Sequence, residues 1–261
     1  MSERVDVPAN CLTPDGTETA LVRTLPVEAP IAIEFNGVGY AVMMATPRDL
    51  ADFGTGFALS ERIVDAPGEI EEIEARETPD GWLLKIRITT ARADRLFERV
   101  RTRVSESSCG LCGLENLEQV HVRLPRIGDT LDVPTDAIFD ALASLSGHQP
   151  LNAATGGVHA AAFCMPDGAI RLAREDVGRH NALDKLIGAM AAAKIDPASG
   201  FALLSSRCSY ELVEKTAIAG IPLLVTVSTA TSFAVERAQA AGLRLIALAR
   251  GDAMLELAPE G

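Results

Sequence analysis

The sequence predicts an α/β protein: a layered sheet with helices on both faces in the C-terminal half, preceded by a smaller β-rich N-terminal subdomain. Three observations carry this. In the second half, short apolar runs alternate with helical patterns, the texture of a sheet whose strands are linked by packed helices. In the first half, turn-forming residues separate extended runs at hairpin spacing. The chain has 261 residues, 48% of them hydrophobic but only 4% aromatic. It is therefore long enough for a full core, and that core is aliphatic.

The elements follow in chain order. Residues 1–28 show no clear periodicity and several turn formers, and read as an extended arm. Residues 31–35 and 40–44 flank Asn36-Gly37, a pair suited to a type I′ turn, and read as a hairpin. Pro47 opens a helical stretch to about Val64. A second hairpin spans 70–77 and 82–89, turned by Pro79-Asp80-Gly81. Residues 92–104 read as a short basic helix. Between Ser105 and Gly113 three serines and two glycines fall within nine residues, which argues for a loop. A helix begun by Pro134 covers 134–146 and places Ile138, Leu142 and Leu145 on one face. Strands at 157–165 and 169–173 enclose a Pro166-Asp167-Gly168 turn. A helix at 178–193, a strand at 201–205 and a helix at 209–219 come next. A strand at 222–227, a helix at 231–241 and a strand at 243–249 complete the pattern. The change of texture sets a boundary near residue 125, giving an N-terminal subdomain over 1–125 and an α/β domain over 126–261.

Net charge is −12. A chain this acidic does not hold nucleic acid by general attraction, which needs surplus Lys and Arg. No apolar run has the length of a membrane span, and the first ten residues lack the apolar segment of a secretory signal. The cysteines are Cys11, Cys109, Cys112, Cys164 and Cys208. Five scattered cysteines do not form a disulfide framework, and a reducing cytoplasm is the simplest setting.

Cys109-Gly110-Leu111-Cys112 is the first candidate for chemistry. A sulfur carrier needs an exposed, partly ionised thiol, because the thiolate is the nucleophile in sulfur exchange. A neighbouring thiol can relay or resolve the bound sulfur, and flanking glycines let the backbone bend. Half of a zinc site and a thioredoxin-like switch are the other readings of CxxC spacing. Thr155-Gly156-Gly157-Val158-His159 can present backbone N–H groups to an anion, but on the pentapeptide alone it reads rather as a plain turn into a strand, with His159 a hydrogen-bonded core residue. Residues 174–185 are dense in charge at a helix entrance. They read equally as an anion site, built on free N–H groups and Arg179, or as a solvated helix face laced with ion pairs. Cys164 and Cys208 read as small buried hydrophobes.

Three further segments follow apolar strands: 205–211 with Arg207, 228–232, and 250–252. Open α/β sheets place ligands beyond the carboxyl ends of their strands, so these segments suggest one shared pocket. Helix capping by Ser or Thr accounts for any one of them alone. No Walker A, GxGxxG or GxSxG motif occurs, and His159 is followed by Ala160-Ala161 rather than the Glu of zinc deaminases.

The runs SSCGLCG, TGGVHAAAF, EDVGRHNALDK, SSRCSYELVEK and VSTATSFAVERA resemble the formate dehydrogenase accessory sulfurtransferases, the FdhD family, over most of the chain from about residue 30. The resemblance implies a cytidine-deaminase-like layered sheet without the catalytic zinc. It implies a protein that takes persulfide sulfur from a cysteine desulfurase and passes it to the molybdenum cofactor, bis-molybdopterin guanine dinucleotide, bound for formate dehydrogenase. Cys109 then corresponds to the persulfide cysteine and Cys112 to its helper. The family's cofactor-binding stretch falls on Leu248, Ala249, Arg250, Gly251, Asp252 and Ala253. Arg179, His180, Lys185 and Arg207 are the local groups suited to hold its phosphates. Family members are homodimers. The sequence departs from the family pattern at Ser206, where many members have Gly, and after Arg250, where an aromatic is missing. A non-catalytic cofactor-binding chaperone, with CxxC as a redox or metal latch, is the alternative.

Overall fold

The computed structural model describes residues 3–92, 123–128 and 131–257. The expected loop at 105–113 with Cys109 and Cys112, and residues 93–104 of the expected basic helix, lie outside them.

The chain opens with an antiparallel ribbon, β1 (Arg4–Leu12) and β2 (Glu18–Pro26), where the sequence predicts only an extended arm. No residue of the ribbon is fully buried. Val5, Val7, Ala9 and Cys11 alternate with Arg4, Asp6, Pro8 and Asn10 along β1, the period of a strand, so the pairing with β2 was there to be read and was missed.

The next four strands, β3 (Ala29–Phe35), β4 (Val38–Ala45), β5 (Ile70–Thr78) and β6 (Gly81–Ile88), form a sheet of order β4-β3-β6-β5. Asn36 and Gly37 both adopt positive φ, 49° and 82°, as a type I′ turn requires. On β3 the residues Ile31, Ile33 and Phe35 point inward, and helix α1 (Leu50–Ser60) covers them with Phe53 and Phe57. Helix α1 begins after Asp49 rather than at Pro47, because Asp49 itself is left-handed at φ 53°.

The second sheet holds β7 (His159–Cys164), β8 (Ile170–Asp176), β9 (Phe201–Leu204), β10 (Leu223–Thr226), β11 (Arg244–Ala247) and β12 (Leu255–Glu256), in the order β12-β11-β10-β9-β7-β8. Among the described residues the helices that accompany it are α2 (Thr135–Ser144), α3 (Pro150–Thr155), α4 (Arg179–Ala192), α5 (Tyr210–Ile218) and α6 (Ser232–Ala241). Strands β9, β10 and β11 run parallel, linked by α5 and α6.

Strand alternation sorts the core into two faces. Ala161, Phe163, Ala202, Leu204, Leu224 and Leu245 pack with residues of α4, α5 and α6. Ala162, Cys164, Phe201, Leu203, Val225 and Ile246 pack with Ala137, Ile138 and Ala141 of α2. The predicted α/β layering with helices on both faces is thus observed; α3 and β12, each short, are additions to it. Helix α4 is pressed between this sheet and α1, and the two helices meet backbone to backbone at Gly56 and Gly188. No helix among the described residues is long and apolar enough to cross a membrane.

Candidate functional site

Topology brings the polar segments to one edge of the larger sheet. Strand β7 is antiparallel to both β8 and β9, so β8, β9, β10 and β11 all end where β7 begins. His159 at the start of β7 lies opposite Asp176 at the end of β8. Beyond the strands the segments stay bonded to one another. Ala160 N donates to Ser205 Oγ at 2.8 Å, and Cys208 N donates to the Thr229 carbonyl at 3.0 Å. Leu248 N donates to the Ser228 carbonyl at 3.1 Å. The three strand-end segments are therefore one contiguous rim.

Cationic groups gather on the β7–β9 side of this rim. His159 shares the parity of Ala161 and Phe163, so it faces the side covered by α4 and α5. There it meets the starts of both helices. Gly178 caps α4 without a side chain, and Ser209 at the start of α5 makes no side-chain cap bond. The Ser209 hydroxyl instead lies 3.2 Å from His180 Nε2. By contrast, Thr231 caps α6 by accepting from Ala234 N. Two helix starts with uncapped N–H groups, beside Arg179, His180 and Arg207, make an electropositive recess.

The charges act on each other. Burial, and then the Arg179 guanidinium, push the His159 imidazole below its ordinary value; Arg207 and His180 add to this, and Asp176 opposes it. The Arg179 Nε is buried and has no hydrogen-bond partner among the described residues. His180 Nε2 faces Glu211 Oε2 at 3.0 Å as well as Ser209. The hydrogen bond from His180 holds the Glu211 carboxyl below its usual range, against the effect of burial. Acid and hydroxyl approach the same ring nitrogen, whereas a nucleophilic triad needs them on opposite nitrogens. The arrangement suits binding an anion rather than activating Ser209.

Lys185 is placed differently. Its ammonium is fully buried and bonds Asp176 Oδ2 at 2.6 Å and the Thr46 carbonyl at 2.9 Å. Burial pushes it down, with Asp176 opposing. It does not reach the recess; it acts through Asp176. That carboxylate also accepts from Gly178 N, Asn181 Nδ2 and Thr46 N, at 2.7, 3.0 and 3.0 Å. Thr46 Oγ1 in turn accepts from Val177 N, and Asn181 Nδ2 donates to the Met44 carbonyl. The turn that projects Arg179 and His180 is thus clamped to the end of β4.

Helix α4 is not a solvated helix face either. Asp184 is 1% exposed, accepting from Ser60 Oγ at 2.6 Å and from Lys215 Nζ at 2.9 Å. Burial raises the Asp184 carboxyl. Burial works against the Lys215 charge, but the Asp184 and Glu61 carboxylates outweigh it and hold the ammonium up.

The segment from Leu248 to Ala253 lies on the same rim but further along. Leu248 adopts a φ of 51°, and Arg250 N donates to the Ala253 carbonyl at 2.9 Å, closing a tight turn. Ala249 is buried beneath it, while Arg250, Gly251, Asp252 and Ala253 are exposed. Strand β11 stands four places from β8; at about 4.8 Å per strand their ends are about 19 Å apart. Cys109 and Cys112 fall outside the described residues. Cys164 and Cys208 are buried, and burial pushes both thiols up to about 12.

Sequence reasoning passed over Asp176, Thr46 and Asn181 as organisers of the site, and treated His159 as a core residue. The available signal was the polar set Asn181, Asp184 and Lys185 interrupting an otherwise apolar helix.

The chain matches the model of the FdhD/NarQ family over residues 26–257. It is 46% identical over 226 residues to a protein of Variovorax paradoxus (strain S110) named "Sulfur carrier protein FdhD", covering 87% of this chain and 81% of that protein. A protein of Bordetella petrii with the same name is 43% identical over 234 residues, covering 89% and 84%. In fold, the chain resembles a solved Desulfotalea psychrophila protein assigned as a formate dehydrogenase accessory protein. That likeness has a TM-score of 0.78 at 21% identity and covers 98% of this chain and 97% of the other.

Proposed function

Since the chain belongs to the FdhD/NarQ family, we propose that it is a sulfur carrier serving formate dehydrogenase. It takes persulfide sulfur from a cysteine desulfurase and delivers it to bis-molybdopterin guanine dinucleotide, its bound substrate, before that cofactor enters the enzyme. It is a sulfurtransferase in this reading, working in the reducing cytoplasm where free thiols persist.

The observation that carries the reading is the rim. By strand spacing, Arg179 and His180, beyond β8, lie about 19 Å from the turn of residues 248–253, and Arg207, beyond β9, stands between them, about 10 Å from that turn. A single phosphate does not bridge that distance; a cofactor with two nucleotide arms does. In an acidic protein such a ligand is held by local cations and backbone N–H groups.

The sulfur chemistry falls to Cys109 and Cys112. The Cys109 thiolate attacks the terminal sulfur of the donor persulfide; a new S–S bond forms, the donor S–S bond breaks, and the donor cysteine leaves as thiolate. Attack by Cys112 on the Cys109 sulfur then forms a Cys109–Cys112 disulfide and releases the carried sulfur as sulfide. The two electrons that reduce it come from the thiol pair, and an external thiol restores the pair for another cycle. A thiol of ordinary pKa, about 8.5, is only about 3% ionised at pH 7, so the rate follows any local charge that favours the thiolate.

The homodimer implied by family resemblance has a candidate face on the ribbon, where Val5, Leu21 and Leu25 are exposed side by side. The ribbon is tied to the rest of the fold through Arg23, which donates to the Thr155 carbonyl at 2.9 Å, and a second copy covering its exposed apolar face would add stability.

The reading is tested by purifying wild type and an Arg179→Ala/Arg207→Ala variant from cells that make the cofactor, then measuring bound molybdenum and acid-released guanine nucleotide. Molybdenum and guanine on wild type, with a loss of about ten-fold or more in the variant, is the expected result. Equal cofactor on both proteins removes the rim as the binding site.

A further inference from the structure

The structure points to one more ligand-binding residue on the rim. We propose that His159 contacts the phosphate-bearing ligand directly, and that it takes up a proton when the ligand binds. This rests on the reading of the rim as a phosphate site and deepens it.

The geometry is as follows. His159 is the first residue of β7, and strand parity turns it towards α4 and α5. From β8, it is paired with Asp176 across the ladder. Arg179 and His180 stand at the start of α4 and Arg207 in the loop after β9, and the charges of all three disfavour protonation of the His159 ring. The Ser205 hydroxyl fixes the next backbone amide, Ala160 N, at 2.8 Å. Glu211 on α5 is engaged with His180. Asp176, which opposes these charges at His159, already accepts from Lys185, Thr46 N, Gly178 N and Asn181.

An imidazole so placed is half-buried among cationic neighbours, a setting that favours its neutral form without ligand. A phosphate entering the recess reverses the balance. Its charge offsets Arg179, Arg207 and His180, and its oxygens accept from a protonated ring. The imidazole and the anion therefore stabilise each other, which is thermodynamic linkage: binding raises proton affinity, and protonation raises anion affinity. A histidine provides this coupling near neutral pH; Arg and Lys do not titrate there. The recess then grips a phosphate ligand more firmly as pH falls from 8 towards 6.

The test uses the full chain with inorganic pyrophosphate and, separately, GDP. Calorimetry at pH 7 in buffers of different ionisation enthalpy counts protons taken up on binding. Wild type is compared with His159→Gln and His180→Gln, so that ionisation of the ligand itself cancels in the difference. The chain has four histidines, so NMR of their ring protons follows His159 in wild type without relying on a variant to fold. The expected outcome is greater proton uptake in wild type than in His159→Gln. The His159 resonance should titrate about one pH unit higher with pyrophosphate bound, corresponding to about ten-fold tighter binding by the protonated form. Binding with the same proton uptake in His159→Gln, or an unmoved His159 resonance, overturns the inference and leaves the phosphate site standing. No binding of either ligand to wild type overturns the phosphate site and the inference with it.

Discussion

Gly56 on α1 and Gly188 on α4 are the facing contacts of a helix crossing in which each backbone occupies the space a side chain would need. A β-carbon on Gly56 would lie 1.7 Å from the Asp184 carbonyl oxygen, and one on Gly188 would lie 1.9 Å from that of Asp52. The crossing joins the four-stranded sheet to the six-stranded one, and on α4 it lies just beyond the residues that build the recess. Gly56→Ala or Gly188→Ala should destabilise the fold by at least about 3 kcal/mol, because the obstructing atoms are backbone and cannot rotate away. Urea unfolding checks this; a loss below about 1 kcal/mol would show that the helices can separate freely.

Asp184 and Lys215 form a buried ion pair across α4 and α5, steadied by Ser60 on α1. Removing one partner leaves an unpaired charge in the interior. Asp184→Ala should cost about 3–5 kcal/mol, while the double replacement Asp184→Leu/Lys215→Met should recover most of that loss. Thermal and urea unfolding of the three proteins decides it. Failure of the double variant to recover would mean that the pair contributes more than its own charge balance.

His159 gives the ligand-free protein a pH dependence of known sign. Its folded-state value lies below the unfolded one, because burial and Arg179 disfavour the charged ring. Between the two values the unfolded chain binds more protons, so stability falls as pH drops below the ordinary imidazole value, about 6.5, and is restored above it. His159→Gln should flatten that slope. Urea titrations at several pH values, without phosphate, measure it; an unchanged slope in the variant would place its origin elsewhere.

The exposed and buried thiols should separate cleanly. Cys11 is exposed, whereas Cys164 and Cys208 are buried with thiols raised to about 12. Brief alkylation at pH 8, read peptide by peptide, should label Cys11 and spare Cys164 and Cys208 until denaturant is added. Labelling of Cys208 in the native state would make it a second candidate sulfur carrier on the rim.

Much of this architecture is legible in the sequence, for identifiable reasons. Asn36-Gly37 specifies a turn through positive φ, and the apolar runs that become β9, β10 and β11 are unambiguous because both faces of the sheet are covered. The strand-end segments were recognisable because an open α/β sheet exposes them together. The β1–β2 ribbon was missed although Val5, Val7, Ala9 and Cys11 alternate with polar residues and Pro8; the turn formers around it drew the reading towards an extended arm. The grouping of Lys185 with Arg179 also failed. Six residues along a helix is a rotation of about 240°, which carries Lys185 away from the recess and into the contact with β8. A one-dimensional run of charges does not reveal that α4 is covered on two sides, by the sheet and by α1. The role of His159 depends on Arg179 and Arg207, which approach from different elements, so only the folded chain brings it out.

The central claim is that Cys109 carries sulfur. Its most direct test is the intact mass of wild type, Cys109→Ala and Cys112→Ala after incubation with a cysteine desulfurase and free cysteine, without reductant. The account predicts a gain of one sulfur atom on Cys112→Ala, removed by reductant, no gain on Cys109→Ala, and on wild type that persulfide together with its product, the Cys109–Cys112 disulfide, two hydrogens lighter than the dithiol. It further predicts that Cys112→Ala still loads sulfur but releases it as sulfide much more slowly. Sulfur retained on Cys109→Ala, or none on Cys112→Ala, would contradict the account.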